Sequence, residues 1–196
     1  MTKIKERKKT STILPIYGYG QPVLKKVASD IPDSYPGLEE LIEAMWNTMK
    51  NARGVGLAAP QIGKSIRLFL VDSTPLYEQE EEGRALRKVF INARILSQEG
   101  EPWAYEEGCL SIPQLTGDVL RPPRIRIRYL DEDFQQHEET YEGLEARIIQ
   151  HEYDHIEGRL FTDLLKPIKK RMIKRKLENI RKGKVKVDYP MRFAMK

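Results

Sequence analysis

Two histidines one helical turn apart, with a glutamate beside the first, occur in the run His151-Glu152-Tyr153-Asp154-His155. On a helix, positions i and i+4 share a face. Two imidazoles placed so can hold one metal ion while Glu152 handles a proton next to it. The surrounding periodicity supports this placement. Leu144, Ile148, His151, Glu152 and His155 fall on one stripe, which predicts that both rings point into the apolar interior, where a metal's charge acts strongly. Asp154 lies off that stripe and reads as a structural partner. A buried histidine pair without a ligand would be costly, so a metal centre is favoured over coincidence.

Two histidines do not complete a site. No histidine follows His155, and Glu157, Asp163, Glu178 and Asp188 have no familiar third-ligand spacing. Two upstream residues remain. Cys109, the one cysteine of the chain, stands in Glu107-Gly108-Cys109-Leu110-Ser111, and His137 stands in a charged run that reads as exposed. With Cys109 the set is His2Cys with an open fourth position, a catalytic pattern whose thiolate also admits iron. A further segment, 54–63 (GVGLAAPQIG), spaces three glycines among small residues, as where backbone approaches something closely. It lacks the Gly-Lys-Ser/Thr ending of a phosphate loop.

The elements that must position these residues can be read from periodicity. Residues 143–157 form the metal-bearing helix, ended by Gly158. Residues 37–52 form a second helix, with Leu38, Leu41, Ile42, Met45, Trp46 and Met49 on its apolar face. Residues 67–72 and 88–96 read as strands. Residues 124–130 alternate Arg with Ile125, Ile127 and Tyr129 as a half-buried antiparallel strand, which 136–142 can pair with. Residues 73–87 read as an acidic surface loop and 13–23 as irregular or edge structure. A last helix starts near Pro167, with Ile168, Met172, Ile173, Leu177 and Ile180 as an apolar stripe. Strands and three separated helices without βαβ alternation predict an α+β fold.

Three segments in order, Gly54-Val55-Gly56-Leu57-Ala58-Ala59-Pro60-Gln61, Glu107-Gly108-Cys109-Leu110-Ser111 and Gln150-His151-Glu152-Tyr153-Asp154-His155, resemble the peptide deformylase family of bacterial type. The resemblance covers roughly residues 13–165. It implies antiparallel and mixed β-sheets packed around the central H-E-x-x-H helix. It implies hydrolytic removal of the formyl group from the N-terminal formyl-methionine of new proteins, with release of formate. By the same resemblance Cys109, His151 and His155 are metal ligands, Fe(2+) is the cellular metal, and Zn(2+), Ni(2+) or Co(2+) are other occupants. Glu152 is the general acid/base, and Gln61 with the Leu110 N–H forms the oxyanion hole. Gly56 and Val55 clamp the substrate backbone, and Leu144, Ile148, Glu107 and Gly108 surround the methionine side chain. Thr116 stands where the family often has an arginine, and Arg121 matches a later arginine with a role in an internal ion pair with Asp154. Tyr153 replaces an aliphatic residue on a face away from the ligands.

The chain has 196 residues and a net charge of +5. That charge is partitioned: residues 1–9 carry +4, residues 166–196 carry +11, and the rest carries −10. The expected organisation is a basic N-terminal tail (1–12), a catalytic domain (13–165) and a basic C-terminal helix and tail (166–196). Mean hydropathy is −0.57, and no run of about 18 apolar residues is present to form a membrane span. A lone cysteine rules out an intramolecular disulfide framework, and the N-terminus lacks an apolar signal region, so a reducing bacterial cytoplasm is expected. The expected state is a monomer. Bacterial relatives touch the ribosome through a C-terminal helix, and the basic end here suits transient docking on ribosomal RNA. Truncation after Lys166 is expected to weaken that docking while sparing activity on short peptides. Two competing readings are a peptidase that cleaves internal peptide bonds, which Cys109 argues against, and a metal-stabilised binding module, in which Gln61 and Glu152 would have no purpose.

Overall fold

The computed structural model describes residues 12–77 and 85–195. The basic run at the N-terminus and the middle of the acidic loop near residue 80 lie outside the described residues. The main sheet has five strands in the order β2 (Gly56–Ala58), β3 (Leu68–Asp72), β4 (Arg87–Glu99), β7 (Arg124–Leu130) and β8 (Gln136–Glu142). Every neighbouring pair in it is antiparallel.

Strand β3 is apolar at four successive positions because both of its faces are covered. Leu68 and Leu70 pack with Leu41, Ile42, Met45 and Met49 of helix α1 (Leu38–Asn51). Phe69 and Val71 point the other way, to Ala146, Ile149 and Ile156 of helix α2 (Gly143–Ile156). The sheet is therefore held between the two helices. At its far end, β7 and β8 pair from Arg124↔Glu142 to Leu130↔Gln136, and the expected alternation is present: Ile125, Ile127 and Tyr129 are buried.

A separate hairpin joins β5 (Trp103–Cys109) to β6 (Ile112–Arg121). It packs through Ile112, Leu115 and Val119 on Phe161 of the short helix α3 (Phe161–Leu164) and on helix α4 (Pro167–Arg181). A two-residue strand, β9 (Met191–Arg192), pairs in parallel with β1 (Ile16–Tyr17). No helix among the described residues is long and apolar enough to cross a membrane.

The architecture is a mixture of helices and antiparallel sheets, as expected, with two corrections. The five apolar residues of α4 do not form one stripe. Ile173 and Ile180 are buried and Leu177 packs beside them, whereas Ile168 and Met172 are 71% and 72% exposed. At about 100° per residue, Ile168 and Met172 turn away from the face that Ile173 sets. The second correction concerns the C-terminal segment. Tyr189 and Met191 pack against the α1 side of the core, and Lys186–Tyr189 line the central cavity. Truncation after Lys166 would remove part of that cavity's wall, which counts against the expectation that it spares activity.

Candidate metal centre and cavity

Helix α2 places both histidines beside Cys109 at the end of β5. The ligating atoms of Cys109, His151 and His155 all lie within 4.8 Å of one another. Cys109 Sγ is 3.2 Å from His155 Nε2. Gly158, one residue beyond the last of this helix's flanking turn, adopts φ +71° and lets the chain reverse, so the helix ends just after the second histidine. His137 is elsewhere: on β8 it faces Asp131 at 2.6 Å. The third ligand candidate beside the histidine pair is thus Cys109.

A carboxylate fixes the first histidine. His151 Nδ1 donates to Glu107 Oε2 at 2.9 Å, which leaves Nε2 to face a metal. Arg121 donates to both Glu107 oxygens, at 2.7 and 3.0 Å, and reaches Asp154 at 2.6 Å. Arg147 donates to Glu107 Oε1 at 3.0 Å and to the Val119 and Trp103 carbonyls. Burial alone would push the Glu107 carboxyl up, but the hydrogen bonds from His151 and Arg121 outweigh it and hold the group far below the usual range. The internal pair of Arg121 with Asp154 is present as expected.

Glu152 sits differently. It is buried, its Oε2 has no hydrogen-bond partner, and burial pushes its pKa up to about 7. A buried carboxyl without a partner, beside a thiol and two imidazoles, is the arrangement a cation and a reacting water would complete. The donor set suits a divalent metal: one sulfur and two nitrogens converge, and the oriented His151 is the usual supporting feature.

A cavity of about 810 Å³ opens onto this cluster. His151, Glu152, Leu144 and Ile148 contribute one wall from α2. Four members of the helix stripe expected in the apolar interior therefore line a cavity, whereas His155 is buried as expected, and Ala146, Ile149 and Ile156 make the helix's contacts with the sheet. Val55 and Gly56 form the opposite rim, where β2 is an outer strand of its sheet. Gly56 has an internal reason to lack a side chain, since a Cβ there would sit 2.7 Å from Glu152 Cδ and nearer still to its oxygen. Glu107, Gly108, Cys109, Leu110 and Thr116 complete the hairpin side. Gln61 is buried, with Oε1 accepting from Ala58 N at 2.8 Å and Nε2 turned to Cys109 Sγ at 3.5 Å and Ser111 Oγ at 3.3 Å.

Three participants escaped the sequence reading. Arg147 lies one turn before His151, a spacing that could have suggested a shared carboxylate partner. Ser111 follows directly on the cysteine segment. Tyr189, whose hydroxyl donates to the Leu110 carbonyl at 2.9 Å, is 79 residues away and carries no local signal. Tyr153 does point away from the ligands and lies under the guanidinium of Arg67.

The sequence model of the family described as polypeptide deformylase matches residues 13–171. A peptide deformylase from Christiangramia forsetii is 59% identical over 188 residues, covering 92% of this chain and 96% of its own. Among solved structures, a peptide deformylase from Legionella pneumophila is 37% identical with a TM-score of 0.76, covering 88% of this chain and 98% of its own. Another, from Acinetobacter baumannii with Met-Ala-Ser bound, is 33% identical with a TM-score of 0.71, covering 80% and 100%. A match of this extent, on a chain that gathers the three segments of the family around one cavity, means that the protein belongs to the polypeptide deformylase family.

Proposed function

We propose that this cavity hydrolyses the formyl amide of N-formyl-methionyl peptides, and that Cys109, His151 and His155 hold the divalent metal the reaction needs. The enzyme is a deformylase: it removes the formyl group from newly made peptides and releases formate. The observation that carries the site assignment is the buried, unpartnered Glu152 carboxyl beside the three converging ligand atoms. The soft thiolate donor supports Fe(2+) as the cellular metal, with Zn(2+), Ni(2+) and Co(2+) able to use the same donors. When bound, the ion supplies Lewis acidity, polarising the carbonyl and acidifying water.

The chain's own groups do the rest. A peptide can lie along the outer edge of β2 at Gly56 and Val55, adding as a strand and fixing the formyl carbon in place. Leu144, Ile148, Gly108 and the aliphatic part of Glu107 surround the methionine side chain. Glu152 accepts the proton of the attacking water and returns it to the amine nitrogen as the C–N bond breaks. The water's oxygen leaves in formate. Gln61 Nε2 and the Leu110 N–H donate to the carbonyl oxygen as it gains charge. The reading includes a monomer working in the bacterial cytoplasm and transient docking of the basic helix α4 on ribosomal RNA.

Protein purified without oxygen is expected to release formate from formyl-Met-Ala-Ser and to leave unformylated Met-Ala-Ser intact. Glu152→Ala should lower kcat by about 10²- to 10⁴-fold while metal content stays at one ion per chain within error. Cleavage of only the unformylated peptide would overturn the substrate assignment. Full activity in Glu152→Ala would overturn the role of Glu152.

A further inference from the structure

The turn that carries Cys109 is held by the two ends of the described chain. Cys109 pairs with Ile112, so Leu110 and Ser111 form the tip of the β5–β6 hairpin, where the regular ladder breaks. Both tip carbonyls find donors outside the hairpin. The Ser111 carbonyl accepts from Tyr19 N at 2.8 Å, and the Leu110 carbonyl accepts from the Tyr189 hydroxyl at 2.9 Å. Tyr19 follows β1 and Tyr189 precedes β9, and these strands pair with each other, with Ile16 N donating to Pro190 O at 2.8 Å and Gly18 N to Arg192 O at 2.9 Å. Two further contacts seat the C-terminal segment. Gln114 Nε2 donates to Lys186 O at 2.7 Å, and Arg53 pairs with Asp188 at 3.1 Å. The family match ends at residue 171, so β9 and Tyr189 lie beyond the stretch that defines the family.

We propose that Tyr189 is a positioning residue for the deformylation reaction: its hydroxyl holds the Leu110 peptide, and with it the direction of the Leu110 N–H. This rests on the reading of Leu110 and Gln61 as donors to the developing oxyanion. The Leu110 carbonyl and N–H flank one α-carbon. Anchoring the carbonyl restricts rotation at that residue, and a donor misaimed by a fraction of an ångström loses most of its value in the transition state. The ring of Tyr189 is half-buried and packs against the α1 side of the core, which gives the hydroxyl a fixed point of attachment. Tyr189 and Leu110 line the same cavity but are neither on the β2 edge nor among the residues placed around the methionine side chain. The effect therefore falls on kcat rather than on KM.

Tyr189→Phe keeps the ring and removes the hydroxyl. With formyl-Met-Ala-Ser, kcat is expected to drop about tenfold and KM to stay within about twofold. Metal content and the unfolding midpoint should match the parent protein. An unchanged kcat overturns the proposal. A fall in kcat that merely tracks lost metal or a lowered unfolding midpoint also overturns it, since the hydroxyl would then be only structural. Gln61→Ala measured alongside separates the two levels. If it lowers kcat and Tyr189→Phe does not, the positioning role of Tyr189 alone is wrong. If Gln61→Ala leaves kcat intact, the oxyanion reading fails and takes this proposal with it.

Discussion

Glu107 accepts hydrogen bonds from Arg121, Arg147 and His151 on two oxygens, and all four side chains are largely buried. Such a cluster is costly to break, because removing the anion leaves Arg147 with carbonyl partners only and Arg121 with Asp154 as its one acid. Glu107→Gln replaces one acceptor with an NH2 that must face another donor. It should destabilise the fold by about 3 kcal/mol, seen in denaturant unfolding. It should also weaken metal affinity by about 10- to 100-fold in competition with a chelator, because His151 loses its orienting partner. If metal affinity stayed at the parent value, Glu107 would be a structural anchor and nothing more. The histidine pair, Glu152 and Cys109 were legible in the sequence because their spacing is itself chemistry. The partners of Glu107 were less so: the Arg121–Asp154 pair was foreseen through resemblance alone, and Arg147 looked like one polar residue among several on a helix.

At the scale of elements, β2 and α2 approach so closely that Gly56 faces the Glu152 carboxyl. Gly56→Ala is expected to keep the fold, since β2 pairs with β3 through its backbone, but to displace Glu152. Formate release should fall by at least about 10²-fold with little change in the circular dichroism spectrum. Parent-level turnover in that variant would mean that the carboxyl moves aside without consequence. Strands β3 and β7 were readable because burial on both faces or one face left a clear pattern, and β8 was readable only as a partner for β7. The β5–β6 hairpin was not. The inward positions of β6 include Leu115, Gly117, Val119 and Arg121, and a glycine and a charged residue erase the alternation. In β5 the one buried side chain is Glu107 itself, so a solvated strand and an ion-pair strand look alike in sequence. The pairing of β1 with β9 joins residues too far apart for any local pattern to announce it.

For the whole molecule, the division of charge puts Arg171, Lys174, Arg175 and Lys176 on exposed positions of α4, away from the residues that bury it. Charge reversal at Arg171 and Arg175 probes ribosome docking without disturbing the cavity wall, as truncation would. Arg171→Glu/Arg175→Glu is expected to reduce co-sedimentation with ribosomes at low salt and to leave turnover of short formylated peptides unchanged. Equal co-sedimentation would make the basic face a solubility feature. The division of the net +5 between an acidic body and basic ends was legible in the sequence, whereas the share of residues 186–189 in the cavity wall was not. The pairing of Ile16 with Met191 has a consequence for how the enzyme is born. While its own synthesis is under way, β1 waits without a neighbour, and the tip of the catalytic hairpin waits with it. The site closes only when residues 186–191 have followed the hairpin and both histidines out of the ribosome, so an enzyme that trims new chains must first wait on its own.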